Sequence, residues 1–242
     1  MTSSDPVVVH RSARAAWMLG AALTVGWVGL LAWVRVTAPD LPSIDEDLHD
    51  WAVAARTPES IDLANAVSVL GQVNVAVPLA IVGAVLVETS TRRWGRARAG
   101  VVMGVVAGAG VLVGLAMNHL VGRERPVPDS WAGAAGGPSF PSGHTTAATV
   151  AALLLAWALT RVVTRRRTQV LIWVVAALWA AGVGWSRVWL GVHWPTDVLA
   201  AWLFVPSLLV LARAAQLTWW PADAPPTPVA PAAEPQQREV SR

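Results

Sequence analysis

Residues 99–122 read AGVVMGVVAGAGVLVGLAMNHLVG, 24 residues without a charge between Arg98 and Arg123. A bilayer core of about 30 Å is crossed by about 20 mostly apolar residues in a helix. This stretch therefore predicts a transmembrane span, and a span decides the fold class. The same rule applied outward finds uncharged runs at 63–87 and 15–34 on one side, and at 145–160, 168–186 and 198–212 on the other. The chain is read as an all-α integral membrane protein with six transmembrane helices in one domain over 15–217. Residues 1–14 form a short N-terminus, and 218–242 a Pro- and Ala-rich tail without periodicity, expected to be disordered. Composition agrees: 55% of residues are hydrophobic and 14% charged, where soluble domains hold about 45–50% and 25%. The first run is longer than the roughly 7–15 apolar residues of a signal peptide and is expected to stay as an anchor. With no Cys, disulfides and Cys-based zinc sites are excluded.

Charge sets the orientation. Arg92, Arg93, Arg96 and Arg98 follow the second run, and Arg161, Arg165, Arg166 and Arg167 follow the fourth. Both segments are expected on the cytoplasmic side, which with six spans puts both termini there. The segment after the first span then faces outward. It is acidic, with Asp40, Asp45, Glu46, Asp47, Asp50, Glu59 and Asp62. Ser43 and Glu46 have capping-box spacing, and Ile44, Leu48, Trp51 and Ala55 fall on one helical face. A short helix lying at the membrane interface is expected there, its acids solvated. Glycines 104, 108, 110 and 114 are read as close-packing positions, and Pro78 and Pro206 as kinks. All 18 basic residues are Arg, which suggests a high-GC, bacterial coding bias.

Polar residues gather at four span ends on the outward side: Asn118, His119, Arg123 and Arg125; Ser142 and His144; Ser186 and Arg187; His193 and Asp197. Ionisable groups at a membrane are costly, so such a cluster is a candidate site. Pro141-Ser142-Gly143-His144 opens a helix, with Ser142 suited to cap it and Gly143 to admit a ligand oxygen. Free amides at a helix start attract phosphate, and Arg125 and Arg187 can add bidentate contacts. Pro195 suits a first helical turn, which brings Asp197 within reach of His193. A carboxylate there fixes the imidazole tautomer and steadies its positive charge, making His193 a nucleophile toward phosphorus. His144 can protonate a leaving oxygen. His119, His10 and His49 lack this context.

At these residues the chain resembles the type 2 phosphatidic acid phosphatase family, whose patterns are Lys-x6-Arg-Pro, Pro-Ser-Gly-His and Ser-Arg-x5-His-x3-Asp. The second is Pro141–His144, and the third is Ser186-Arg187, His193 and Asp197 with both spacings intact. The first retains Arg125-Pro126 but has Asn118 in place of Lys. The resemblance covers residues 118–197 in motifs and most of the chain in span pattern. It implies a lipid phosphatase working through a phosphohistidine on His193, with Asp197 orienting and His144 as acid. Arg125, Arg187, Ser142 and Gly143 would hold the phosphoryl oxygens. It implies no metal or cofactor, and no partner beyond the bilayer and the lipid phosphate; no nucleic acid is expected. Arg123 is expected to supply the charge that Asn118 lacks. An outward-facing site in a bacterial cell membrane favours undecaprenyl diphosphate, with phosphatidate and phosphatidylglycerol phosphate as further substrates. A phosphotransferase using the same site, and an inactive lipid-binding protein, are the alternatives.

Overall fold

The computed structural model describes residues 6–38, 40–87 and 93–219, and no strand occurs among them. The helices are α1 (Pro6–Thr37), α2 (Ser43–Ala55), α3 (Pro58–Val69), α4 (Val73–Val87), α5 (Arg93–Val121), α6 (Gly143–Thr160), α7 (Arg166–Trp189) and α8 (Pro195–Trp219). Five are long and apolar enough to cross a membrane, over Arg11–Thr37, Gly100–Val121, Gly143–Thr160, Arg166–Trp189 and Pro195–Trp219. The pair α3 and α4 is long and apolar enough only when taken together, as one broken span or as a re-entrant loop. The expected all-α membrane architecture is the one found, with five or six candidate spans.

The bundle is organised around α6. Its first half is almost all small residues, and Thr145 to Ala152 are buried on every side, as expected for a helix with no polar face. Small side chains let neighbouring backbones come close. Ala147, Val150, Ala151 and Leu154 pack with Ala76 and Ala80 of α4, Met103 and Ala107 of α5, and Phe204 and Val205 of α8. Two of the expected packing glycines, Gly110 and Gly114, lie against Val150 and Thr146 of α6, whereas Gly108 faces open space. Helix α1 lies outermost along α8, where Trp27 meets Phe204 with ring centroids 5.6 Å apart.

The second crossing differs from the expectation of one uninterrupted span over 63–87. It breaks between α3 and α4 with a 52° bend. Leu70, Gly71 and Gln72 donate to the carbonyls of Val67, Ser68 and Val69, three residues back, so the helix tightens and ends. Hydropathy, summed over a window, does not register this. Gly71 allows the corner to press into the bundle: a Cβ there would lie 2.5 Å from Val183 Cγ1 and 2.9 Å from the His144 carbonyl oxygen. Gly71→Ala is expected to cost about 1–3 kcal/mol by overpacking. Gly108→Ala should stabilise slightly through helix propensity. Thermal unfolding in detergent compares them, and equal shifts would contradict this account of the corner.

The short helix expected after the first span is present as α2, but two expectations about it change. Ser43 is its first helical residue rather than its cap; Pro42 precedes it and no side chain caps it. The capping box belongs to the next helix, where Thr57 and Ser60 bond reciprocally at the start of α3. The acids are also not all solvated. Ile44, Leu48 and Trp51 are exposed, as an interfacial face requires, while Asp45, His49 and Ala52 are buried against the bundle. The tail expected from 218 loses two residues to α8, which ends at Trp219. Residues 220–242 lie outside the described residues, as do Arg92, the side chains of Arg93, Arg96 and Arg98, and residues 1–5 of the N-terminus.

Candidate active site

Four helix ends meet at one end of the bundle, and local signals set each. Helix α7 closes with a Schellman turn: Val192 N–H donates to Arg187 O at 3.2 Å and Gly191 N–H to Val188 O at 2.9 Å. Gly191 takes the left-handed conformation this requires, with φ of 71°. A Cβ at Gly191 would also strike the Ser130 carbonyl at 2.5 Å. The turn fixes the interval between Arg187, in the last turn of α7, and His193, just beyond it. Helix α8 then starts at Pro195, where the missing N–H costs nothing, and Asp197 falls in its first turn. Ser142 caps α6, its hydroxyl accepting from Thr145 N–H and Thr145 Oγ1.

His193 and Asp197 are both buried, at 1% and 0% exposure. His193 Nδ1 lies 3.2 Å from Asp197 Oδ2, and Nε2 lies 2.8 Å from Arg125 Nη1. A guanidinium only donates, so Nε2 must be the accepting, unprotonated nitrogen. The proton then sits on Nδ1 and is given to Asp197. This is the neutral tautomer with its lone pair on the nitrogen that faces the cavity. Burial pushes the imidazole below its ordinary range, to about 4, against the upward pull of Asp197 and with a further downward push from Arg125 and Arg187. Asp197 is fully engaged: Oδ2 also accepts from Trp194 N–H at 2.9 Å, and Oδ1 from Arg123 at 2.7 Å.

In front of His193 lies a cavity of about 280 Å³. Its lining combines polar Asn118, Arg125, His144, Arg187 and His193 with apolar Val73 of α4 and Val111 and Leu115 of α5. Gly143 opens onto it, and a Cβ there would meet nothing within 4 Å. Arg125 is held by the carbonyls of Gly136, Gly137, Pro138 and Val192. Arg187 is 3% exposed; Nη1 donates to Ser68 Oγ at 2.6 Å and Nη2 to Ala134 O. Its Nε is buried without a partner, a donor available to a bound anion. The arrangement can receive a tetrahedral anion between two guanidiniums and a helix start, facing a neutral imidazole.

The structure brings six of the nine expected residues to the cavity wall: Asn118, Arg125, Gly143, His144, Arg187 and His193. Asp197 stands behind His193, as expected. Ser142 is fully buried and serves as a cap. Asn118 spans both sides of the question, since its Nδ2 donates to Pro138 O and Pro141 O. It therefore ties down the loop that carries the helix start. Arg123 does not fit the role expected of it. Its guanidinium turns away from the cavity onto Asp45 and Asp197, each at 2.7 Å. Two carboxylates attract it more strongly than an exposed cavity wall can. Sequence reasoning missed Asp45, Ser68 and Gly191, together with Ser139, whose hydroxyl donates to Asp197 Oδ1 at 3.4 Å, and Thr196, whose hydroxyl accepts from Arg123 at 2.7 Å. Of these only Gly191, a glycine ending an apolar run, carried a sequence signal.

A family model described as the PAP2 superfamily matches residues 98–220. The chain is 38% identical over 109 residues to the phosphatidylglycerophosphatase B of Escherichia coli (strain K12), covering 44% of this chain and 37% of that protein. It thus spans little more than a third of that relative's length. It is 34% identical over 152 residues to the decaprenylphosphoryl-5-phosphoribose phosphatase of Mycolicibacterium smegmatis, covering 61% of this chain and 74% of that protein. Among solved structures, the transmembrane PAP2 type phosphatidylglycerolphosphate phosphatase from Bacillus subtilis is similar with a TM-score of 0.66. That alignment is 25% identical and covers 83% of this chain and 98% of the other.

Proposed function

Since the chain belongs to the PAP2 superfamily, we propose that it is a multi-pass membrane phosphatase that removes phosphate from a lipid phosphate or diphosphate. The observation that carries this reading is the line Asp197–His193–Arg125: a buried carboxylate, a neutral imidazole and a guanidinium donating to its Nε2. A phosphate anion entering the cavity competes for Arg125 and draws it off Nε2, so binding of the substrate uncovers the nucleophile. Nε2 then attacks phosphorus, and the bond from phosphorus to the lipid-side oxygen breaks. His144 gives that oxygen its proton. Asp197 stabilises the positive charge on His193, and Arg125, Arg187 and the amides opening α6 hold the phosphoryl oxygens. Water, deprotonated by His144, attacks the phosphohistidine, releasing inorganic phosphate and restoring His193.

The lipid is read from the cavity's mixed lining. Polar groups beside apolar residues of α4 and α5 suit a phosphate whose tail stays in the bilayer. Undecaprenyl diphosphate is the favoured substrate. The share of the Mycolicibacterium relative that the chain covers supports a second one, a polyprenyl-phosphoryl pentose phosphate. The length of α7 supports an outward-facing site: its 24 residues rise about 36 Å, so Arg165, Arg166 and Arg167 lie a bilayer away from Arg187. With those arginines cytoplasmic, both termini are cytoplasmic and the site is extracytoplasmic.

The test is phosphate release by the purified protein from a panel of undecaprenyl diphosphate, decaprenylphosphoryl-phosphoribose phosphate, phosphatidate and phosphatidylglycerol phosphate, with and without chelator. Turnover that is unaffected by chelator and needs no added acceptor is expected. Chelator-sensitive turnover would overturn the metal-independent mechanism, and release only with an acceptor would make the protein a phosphotransferase.

A further inference from the structure

Asp45 lies on α2, about 150 residues before the site in sequence, yet it is fully buried against the start of α8. Its Oδ1 accepts from Thr196 N–H at 2.8 Å and its Oδ2 from Thr196 Oγ1 at 2.6 Å. The amide of Thr196 is one of the unpaired donors at the start of α8, so Asp45 caps that helix from another one. The same Oδ2 receives Arg123 Nη2 at 2.7 Å. Arg123 Nη1 reaches Asp197 Oδ1 and Thr196 Oγ1, each at 2.7 Å. The guanidinium also lies over the Trp194 ring, 5.8 Å from its centroid. Charges thus alternate along a buried chain from Asp45 through Arg123 to Asp197, ending at His193.

We propose that Asp45 and Arg123 are positioning residues for the His193–Asp197 dyad, with Arg123 divided between two carboxylates so that it orients Asp197 without drawing all of its charge away from His193. Arg123 and the Ser139 hydroxyl on Oδ1, and Trp194 N–H on Oδ2, leave Asp197 one orientation, with Oδ2 toward His193. A lone Arg123–Asp197 pair would draw the carboxylate's charge away from the imidazole. An Asp197 without Arg123 would lose its paired guanidinium, which favours a protonated, non-nucleophilic ring. Asp45 sets the balance between these extremes.

That logic gives the two single variants opposite signs. The groups facing His193 are Asp197 of α8, Arg125 from the segment after α5, Arg187 of α7 and His144 of α6; none is altered. In Asp45→Asn the whole guanidinium charge falls on Asp197, and the His193 protonation midpoint moves down. In Arg123→Met it moves up. Asp45→Asn/Arg123→Met removes one charge of each sign, keeps the net charge of the site, and follows Arg123→Met.

NMR of protein labelled with ¹⁵N at histidine, with His193 assigned by its absence in His193→Gln, reads the midpoint without substrate. It is therefore independent of the phosphatase reading, on which the catalytic consequence rests. For catalysis, kcat is expected to fall about 10–100-fold with KM within about twofold of wild type. Midpoints that do not move, or that move together, overturn the proposal. So does loss of folded protein in all three variants, which would assign the pair to folding alone. Wild-type protein that releases no phosphate while the midpoints still diverge would instead sink the phosphatase reading and leave the positioning pair standing.

Discussion

His193→Gln is expected to lower phosphate release by about 10⁴-fold or more, the scale seen when a covalent nucleophile is removed, and to leave the fold nearly intact. Gln cannot form the phosphorus–nitrogen bond, so no acid-labile phosphoprotein accumulates. The structural cost is small because each neighbour of His193 retains other partners. Asp197 still accepts from Trp194 N–H and Arg123, and Arg125 still donates to Gly137 O and Val192 O. Single-turnover trapping of radiolabelled phosphate, alongside thermal unfolding, makes the measurement. A variant that still forms a phosphoenzyme would remove His193 from the role of nucleophile.

Asp197→Asn is expected to lose about 10⁴-fold in turnover as well, for a different reason, and to lose stability too. An Asn amide can present its N–H₂ to His193 and so stabilise the opposite tautomer, with the proton on Nε2. Asparagine in place of an orienting aspartate has that order of effect. Removing the charge also leaves Arg123 buried with one carboxylate in place of two, and losing one partner of a buried ion pair costs about 3–5 kcal/mol. The pair of variants is therefore diagnostic. Both are inactive, but only Asp197→Asn unfolds markedly earlier on heating. Equal unfolding temperatures would show that the Arg123–Asp197 contact contributes little to holding α8 in place.

The spans and the His193–Asp197 pair were legible because each depends on local sequence. Uncharged runs mark crossings, Pro195 marks a helix start, and the spacing from His193 to Asp197 brings the two side chains together across that start. Ser142 was legible as a cap for the same reason. Asp45 was not, because it stands among six other acids between 37 and 62 and its partners are Arg123 and Thr196, 78 and 151 residues away. Arg123 was misread because its neighbour in sequence, Arg125, does line the cavity. Which way a guanidinium turns depends on the carboxylates within reach, and one of them comes from a distant helix. The corner at Gly71 was hidden in an apolar run because hydropathy measures transfer into lipid and says nothing of how closely two backbones approach.

The Schellman turn at Gly191 has a consequence for how such a chain can change. Arg187 and His193 are fixed to one another by backbone hydrogen bonds across the turn, so the guanidinium and the imidazole form a ruler that neither an insertion nor a deletion can adjust. Val73 of α4 and Val111 and Leu115 of α5 line the same cavity from helices that this turn does not constrain. Their side chains can change one by one while Arg187 and His193 stay in register. Under the proposed function, new lipid specificities are thereby separable from the chemistry, and they should accumulate in the first half of the bundle rather than the second.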